Sequence, residues 1–367
     1  MNPPIRRLAR LLTQHVDGFL LACVVVLLLF GMAVLFSAAD KNSAKVVNQV
    51  INISVACLVM WGIANTPPNQ MMRFALPLYV AGLMLLLGVA LFGEISNGAR
   101  RWLNLGVARI QPSELMKIAV PMMLAWYFDR HESTLKLRNY LVGALLLIVP
   151  VLLIARQPDL GTAILIASSG FFVIFFAGLD WKILAGLFVA GLASLPVLWS
   201  VMHDYQRKRL LTLIDPYKDP LGAGYHTIQS MIAVGSGGVT GKGWLHGTQA
   251  HLDFLPEHTT DFIFAVFSEE FGLLGNLLLL FLYILVIGRG LTIAANAPTL
   301  FSRLMAGSIT MTFFTYCFVN MGMVSGILPV VGVPLPLISY GGTSMVTMLL
   351  GFGILMSIQT HKKLVKT

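Results

Sequence analysis

The residues Pro256-Glu257-His258-Thr259-Thr260-Asp261-Phe262-Ile263-Phe264 close a long polar stretch and open a long apolar one. An aspartate at the mouth of an apolar bundle could act as a general base. A helix beginning near Asp261 would put that carboxylate at its water-facing end, where free N–H groups and the positive end of the helix dipole favour the ionised form. Thr259 or Thr260 could serve as N-cap. Glu257 lies close enough to oppose ionisation and draw the pKa back up. The same stretch also reads as a helix-start Asp that only completes a cap, and taken alone it supports both readings.

A second group with chemical potential runs from Gly98-Ala99-Arg100-Arg101-Trp102-Leu103-Asn104-Leu105-Gly106 to Gln111-Pro112-Ser113-Glu114-Leu115-Met116-Lys117. Trp102 beside two arginines suits a membrane interface, and equally a sugar-stacking or phosphate-facing site. Pro112 fits a first helical turn. Glu114 and Lys117, at i and i+3, can pair on one helix face. Ionisable groups inside a span face the bundle interior or a wet cavity, and a purely structural ion pair is the competing reading. Helical spacing after Asp261 puts Ser268 about 20° away and roughly 10 Å deeper. Glu269 and Glu270 then need partners or protons, with Arg156 near Asp159 as one source and a wet cavity as the other.

These residues must be positioned by membrane helices. The 367-residue chain is 57% hydrophobic and 11% charged, with a mean hydropathy of +0.80, too apolar for a water-soluble fold. About 20 apolar residues make a span. That measure places helices near 18–36, 46–64, 74–92, 114–128, 139–155, 160–178, 183–202, 261–287, 304–325 and 341–359. The expectation is one all-α polytopic domain over 1–367 with ten transmembrane helices and a long outer loop, 203–260, between the seventh and eighth. Arg6, Arg7 and Arg10 precede a retained first span. Cys23, Cys57 and Cys317 fall within apolar spans and behave as small core hydrophobes. The long loop is rich in Gly and carries His226, His246, His251 and His258 without metal-ligand spacing, so these read as polar loop residues.

Loop cations divide almost evenly between the two sides, and the terminal clusters, including Lys362, Lys363 and Lys366, argue for cytoplasmic termini. Arg100, Arg101, Arg109, Lys117 and Lys242 then lie outside, against the usual bias. Cations that resist the bias suggest an anionic client such as phosphate, although long translocated loops also escape the rule. The Arg207–Lys208–Arg209 run reads as a solvated or lipid-headgroup face. The +9 net charge is scattered between apolar spans, which excludes nucleic acid as the partner.

Several motifs together resemble the SEDS family (shape, elongation, division and sporulation). They are Arg101-Trp102-Leu103, Gln111-Pro112-Ser113-Glu114, Gln157-Pro158-Asp159-Leu160-Gly161-Thr162, Asp215-Pro216, Pro256-Glu257 with Asp261-Phe262-Ile263-Phe264, and Pro334-Leu335-Pro336 before Ser339-Tyr340-Gly341-Gly342. Gly243-Trp244-Leu245-His246-Gly247-Thr248-Gln249 is similar to the elongation branch more than to the division branch. Thr259 stands where many members carry His, two residues before the Asp; here His258 is one step earlier.

The resemblance implies ten spans in the inner membrane and a peptidoglycan glycosyltransferase that polymerises lipid II in cell-wall elongation and rod-shape maintenance. It implies a single-pass class B penicillin-binding protein as partner, alongside other elongation-complex membrane proteins. The family's essential acid falls on Asp261 and its outer-loop tryptophan on Trp102. One carboxylate base would suffice, because diphosphate leaves readily and needs charge stabilisation more than a proton. Arg101, Arg109, Lys117 and Lys242 are the candidates to hold the diphosphate, and Glu114 and Glu257 complete the substrate-binding set. A divalent cation, Mg²⁺ or Mn²⁺, could share that work; no organic cofactor is expected. The rival reading is a transporter, a lipid II flippase, which intramembrane Glu114, Glu269 and Glu270 would suit. A pure scaffold would leave Asp261 and the Glu114/Lys117 pair unexplained.

Overall fold

The structure is a computed structural model and describes residues 14–361 except 41, 97–98, 105–108, 203, 221, 223 and 249–256, with the side chains of 94–96, 99, 134, 187, 198, 201, 204–206 and 209 also left aside. The Arg6/Arg7/Arg10 cluster, Lys41, His251, Pro256 and the lysine tail, on which parts of the sequence reading rest, lie outside the described residues.

Apolar runs long enough to span a bilayer become helices, several of them opened by a side chain that satisfies the first N–H groups. Asp17 caps α1 (Gly18–Ala38) by accepting from Leu20 N at 2.9 Å. Asn42 caps α2 (Ser43–Ala64). A short α3 (Pro68–Arg73) leads into α4 (Ala75–Phe92). Pro112 occupies the first turn of α5 (Pro112–Arg130), a position where its missing N–H costs nothing. There follow α6 (Leu137–Ala155), α7 (Leu160–Phe176), α8 (Trp181–Val201), α9 (Asp204–Ile214), α10 (Tyr225–Ser236), α11 (Ile263–Ala295), α12 (Leu300–Val324) and α13 (Gly342–Thr360).

Helices lie over all ten expected segments. Among the described residues, seven of them are long and apolar enough to cross a membrane: α1, α2, α4, α6, α11, α12 and α13. Helix α5 carries Glu114, Lys117, Asp129 and Arg130, and α7 is short. The chain is thus a mostly helical, multi-pass membrane protein. The outer segment before α5 departs from the all-helical expectation: β1 (Glu94–Ser96), β2 (Ala99–Asn104) and β3 (Arg109–Ile110) form a small antiparallel sheet in the order β1-β2-β3. The segment expected as a long loop also has its own structure, carrying α9 and α10.

Helices α12 and α13 sit centrally, with 56% of each spanning window buried, against 17% for α2. Small residues allow close approach, as membrane packing requires. A Cβ on Gly353 would lie 2.5 Å from Met60 O, and one on Gly31 would lie 2.6 Å from Leu337 O.

The eighth span is broken. Gly272 has φ +64 within α11. The residues before it, Ile263 to Glu270, are buried, whereas Leu273, Leu274 and Leu277 after it are exposed as a lipid-facing surface would be. The break frees main-chain groups that must find partners inside the protein, and the Gly-rich segment after α10 supplies them. Leu273 N donates to Gly238 O at 2.9 Å and Leu274 N to Val239 O at 3.0 Å. In return Lys242 N donates to Glu269 O and Gly243 N to Glu270 O, both at 3.0 Å. A Cβ on Gly272 would sit 2.3 Å from Gly241 N, so glycine is needed there for space and for backbone angle alike.

Candidate functional site

Asp261 lies in a turn over 257–262, ahead of α11 rather than in its first helical turn. Neither threonine caps the helix: its N-cap position is Phe262, which makes no side-chain cap bond. Thr260 Oγ1 instead donates to the Glu257 carboxylate at 2.7 Å. Glu257 adopts φ +54, a conformation that costs a non-glycine residue energy. Its carbonyl accepts from Thr260 N at 3.1 Å and Phe262 N at 3.2 Å. The turn is therefore shaped by its own main chain, and it holds the two carboxyl groups in one neighbourhood. Burial first, and the Glu257 carboxylate second, push the Asp261 pKa up to about 6, into the range a general base needs near neutral pH.

The Pro-rich segment after α12 fastens this turn from behind. Asn320 Nδ2 donates to Asp261 O at 2.8 Å and to Val333 O at 2.6 Å. Ser339 Oγ donates to Thr260 O at 2.6 Å and accepts from Leu335 N at 2.7 Å. Tyr340 N donates to Thr259 O at 2.9 Å, and Gln49 from α2 bridges Ser339 O and Gly341 N at 3.3 Å each. Gly332, at φ +73, leaves room for the catalytic candidate: a Cβ there would meet Asp261 Oδ2 at 3.2 Å.

The same segment links Asp261 to the arginine motif. A Cβ on Gly161, at the start of α7, would meet Val331 O at 2.5 Å. Asp159 caps α7 through Thr162 N at 3.2 Å. Its carboxylate also accepts from Gln111 Nε2 at 3.4 Å and faces Arg101 Nε at 4.0 Å. Arg101 donates to Pro158 O at 2.5 Å. Asp159, Asn320, Ser339 and Gln49 are positioning residues that the sequence reading missed; the Gln157-Pro158-Asp159 and Ser339-Tyr340-Gly341 motifs were the signal for two of them. Trp102 and Arg101 are neighbours in β2, where the pairing with β1 shifts from Ile95 opposite Arg100 to Glu94 opposite Trp102, so Arg101 sits at a bulge.

Lys117 is buried and pairs with Glu114 at 2.6 Å. Thr347 Oγ1 of α13 donates to the other Glu114 oxygen at 3.0 Å, and the Lys117 ammonium lies 5.3 Å from the Tyr316 ring centre. Glu114, Arg109 and Gln111 line a groove of about 800 Å³ that continues past Leu115, Val346 and Leu350 to Met71 and Phe74. Polar groups gather at one end and hydrocarbon at the other, as an amphiphile would require.

Lys242 stands apart from Asp261. Its ammonium binds Glu269 at 2.6 Å and Thr248 Oγ1 at 2.8 Å. The fully buried Glu269 also accepts from Thr248 N at 2.9 Å. Glu270 accepts from Ser37 Oγ and from Leu245 N. The two acids brace the broken helix against the Gly-rich segment, and exposed Arg156 is not their partner. The expected continuous helix from Asp261 to Ser268 is corrected in the same way, since Asp261 precedes the helix. Lys242 is thereby engaged in a structural ion pair.

Fold and site together define a polytopic membrane protein with a poised carboxylate before one of its spans and a largely apolar groove with a polar end at Arg109, Gln111 and Glu114. The chain belongs to the FtsW/RodA/SpoVE cell cycle protein family, which it matches over residues 15–364. It is 52% identical over 351 residues to the peptidoglycan glycosyltransferase MrdB of Escherichia coli K12, covering 95% of each chain. It is 34% identical over 348 residues to the MrdB of Helicobacter pylori strain 26695, covering 93% of this chain and 89% of that one. Among solved structures, a chain of a peptidoglycan synthase complex that coordinates polymerization and crosslinking superposes with a TM-score of 0.83 at 31% identity, covering 95% of this chain and 99% of that one. Thermus thermophilus rod shape determining protein RodA superposes with a TM-score of 0.71 at 28% identity, covering 95% and 98% respectively.

Proposed function

We propose that this chain polymerises lipid II with Asp261 as the general base. Peptidoglycan glycosyl transfer is the activity of its curated relatives, at 52% identity across 95% of the chain, and it is the activity of this chain. The observation that carries the finer reading is the Asp261 turn. A carboxylate with its pKa raised to about 6 is tied down on its carbonyl side, and its Oδ2 faces Gly332.

In the proposed reaction the 4-hydroxyl of the acceptor N-acetylglucosamine attacks the anomeric carbon of the donor N-acetylmuramic acid. Its proton passes to Asp261, the new C–O bond forms, and the bond to polyprenyl diphosphate breaks with inversion. General-base assistance of this kind contributes about 10²–10⁴-fold. Arg101 and Arg109 stabilise the departing diphosphate, Glu114, held by buried Lys117, sets the polar end of the groove, and apolar residues below receive the polyprenyl chain. Trp102 is assigned to the outer, headgroup-facing side of the sheet, and Glu257 to tuning Asp261. Among the described residues no three His, Cys, Asp or Glu side chains converge on one point. A Mg²⁺ or Mn²⁺ ion, if one takes part, would be held by the Glu257 carboxylate and would supply charge neutralisation for the diphosphate.

The same reading places ten spans in the inner membrane, both termini in the cytoplasm, and Asp261 and the 203–260 segment on the periplasmic side. A class B penicillin-binding protein and other elongation-complex proteins are the partners. Purified protein supplied with labelled lipid II tests the assignment. Glycan chains support it; lipid movement across proteoliposomes with no polymer formed would transfer the chain to the transport reading.

A further inference from the structure

Among the described residues, the buried side-chain polar atoms with no hydrogen-bond partner in the protein include Arg101 Nε, His226 Nδ1 and Asn320 Oδ1. Leaving such an atom unbonded is costly, and native structures keep one mainly where a ligand, an ion or water completes it. Arg101 already belongs to the proposed diphosphate site. Asn320 is wholly buried behind the Asp261 turn. His226 is different: its ring is half-buried at the edge of the Asp261 turn, while its Nδ1 atom is itself covered.

His226 lies in the first turn of α10, an element the sequence reading left as polar loop. Its ring stacks on Phe262, the residue after Asp261, with centroids 5.7 Å apart and planes 17° apart. Glu257 acts electrostatically on His226 and on Asp261 alike, so the imidazole and the base share one neighbourhood. The ring is held at the edge of the turn by stacking on Phe262 and an edge contact with Tyr225, while its Nδ1 is kept out of water with no hydrogen-bond partner.

We propose that His226 is a substrate-contacting residue of this site, its Nδ1 bonding a hydroxyl of the lipid-linked sugar held against Asp261. The inference rests on the assignment of Asp261 as base. Two substitutions separate contact from packing. His226→Phe keeps the stacked ring and removes the orphaned nitrogen. His226→Asn gives up the ring and restores a polar atom near the position of Nδ1.

With purified protein and labelled lipid II, His226→Phe is expected to lose about tenfold in kcat/KM, the scale of one hydrogen bond to a neutral group, while its thermal midpoint holds or rises. His226→Asn is expected to recover part of that loss although its midpoint falls. Wild-type kcat/KM in His226→Phe, or activity in the two variants that simply follows their thermal midpoints, overturns the proposal. Asp261→Asn in the same assay keeps the two assignments apart. If it still polymerises, the base assignment fails; if it is inactive while His226→Phe is unimpaired, only the histidine contact fails.

Discussion

Asn320 holds Asp261 by its main chain: one wholly buried side-chain amide donates to the Asp261 carbonyl at 2.8 Å and to Val333 O at 2.6 Å. The bond leaves the carboxylate free for chemistry. It also ties the turn before α11 to the Pro-rich segment after α12, where irregular backbone must be satisfied from within the protein. The placement of the acid is thus set by residues distant in sequence.

Polymerisation should rise with pH through about 6, because Asp261 accepts a proton only when ionised and its pKa is raised to about that value by burial and then by Glu257. Glu257→Gln should move this limb to lower pH, but not to the ordinary value of 3.8, since burial is the larger cause. The stability sign is the reverse. A carboxyl whose folded pKa is raised stabilises the fold at low pH and loses that contribution as pH rises through 6. Asp261→Asn should therefore raise the thermal midpoint at pH 7.5, raise it by about half as much near pH 5, and do little below the ordinary value of 3.8. Rate profiles and thermal scans at several pH values check both statements.

Asp159 should separate capping from charge. Asparagine caps helices about as well as aspartate, so Asp159→Asn should fold normally yet weaken lipid II use several-fold by loosening Arg101. Asp159→Ala should in addition lose about 0.5–2 kcal/mol of stability. Midpoints and KM measured for both variants would show this; equal stability in the two would mean that the cap is idle.

Lys242 should prove structural. Removing it leaves Glu269 buried with its charge uncompensated, a situation that costs about 3–5 kcal/mol in buried pairs; the lysine is partly exposed, so the lower part of that range is expected. Lys242→Met should reduce folded yield and midpoint, while the folded fraction keeps a normal KM for lipid II. A raised KM with unchanged stability would return Lys242 to the diphosphate site.

Glu114 and Lys117 should show strong coupling. Either single change, Glu114→Gln or Lys117→Met, breaks a buried pair and should destabilise by about 3 kcal/mol or more. The double variant should recover much of that stability, as apolar replacement of buried pairs often does, without recovering polymerisation. Recovery of activity in the double variant would make the pair scaffolding alone.

The helices were legible because hydrocarbon length sets span length, and Asp261, Glu257 and the Glu114/Lys117 pair stood out because carboxylates are scarce in so apolar a chain. Three features were hidden by their long-range origin. The break at Gly272 interrupts an apolar run that reads as continuous helix, and only its pairing with residues 238–243 reveals it. Lys242 looked like a free outer cation because its partner, Glu269, is 27 residues away. Asp159, Asn320 and His226 matter through contacts that cross the chain, and no local periodicity signals them.

The most direct test compares Asp261→Asn with the parent chain in detergent, using labelled lipid II and resolving glycan chains by gel. The account predicts a folded, thermally stable variant that makes polymer at least 10²-fold more slowly, the scale of general-base assistance. Glycan chains of normal length formed at the parent rate would remove the carboxylate from the reaction and contradict the account.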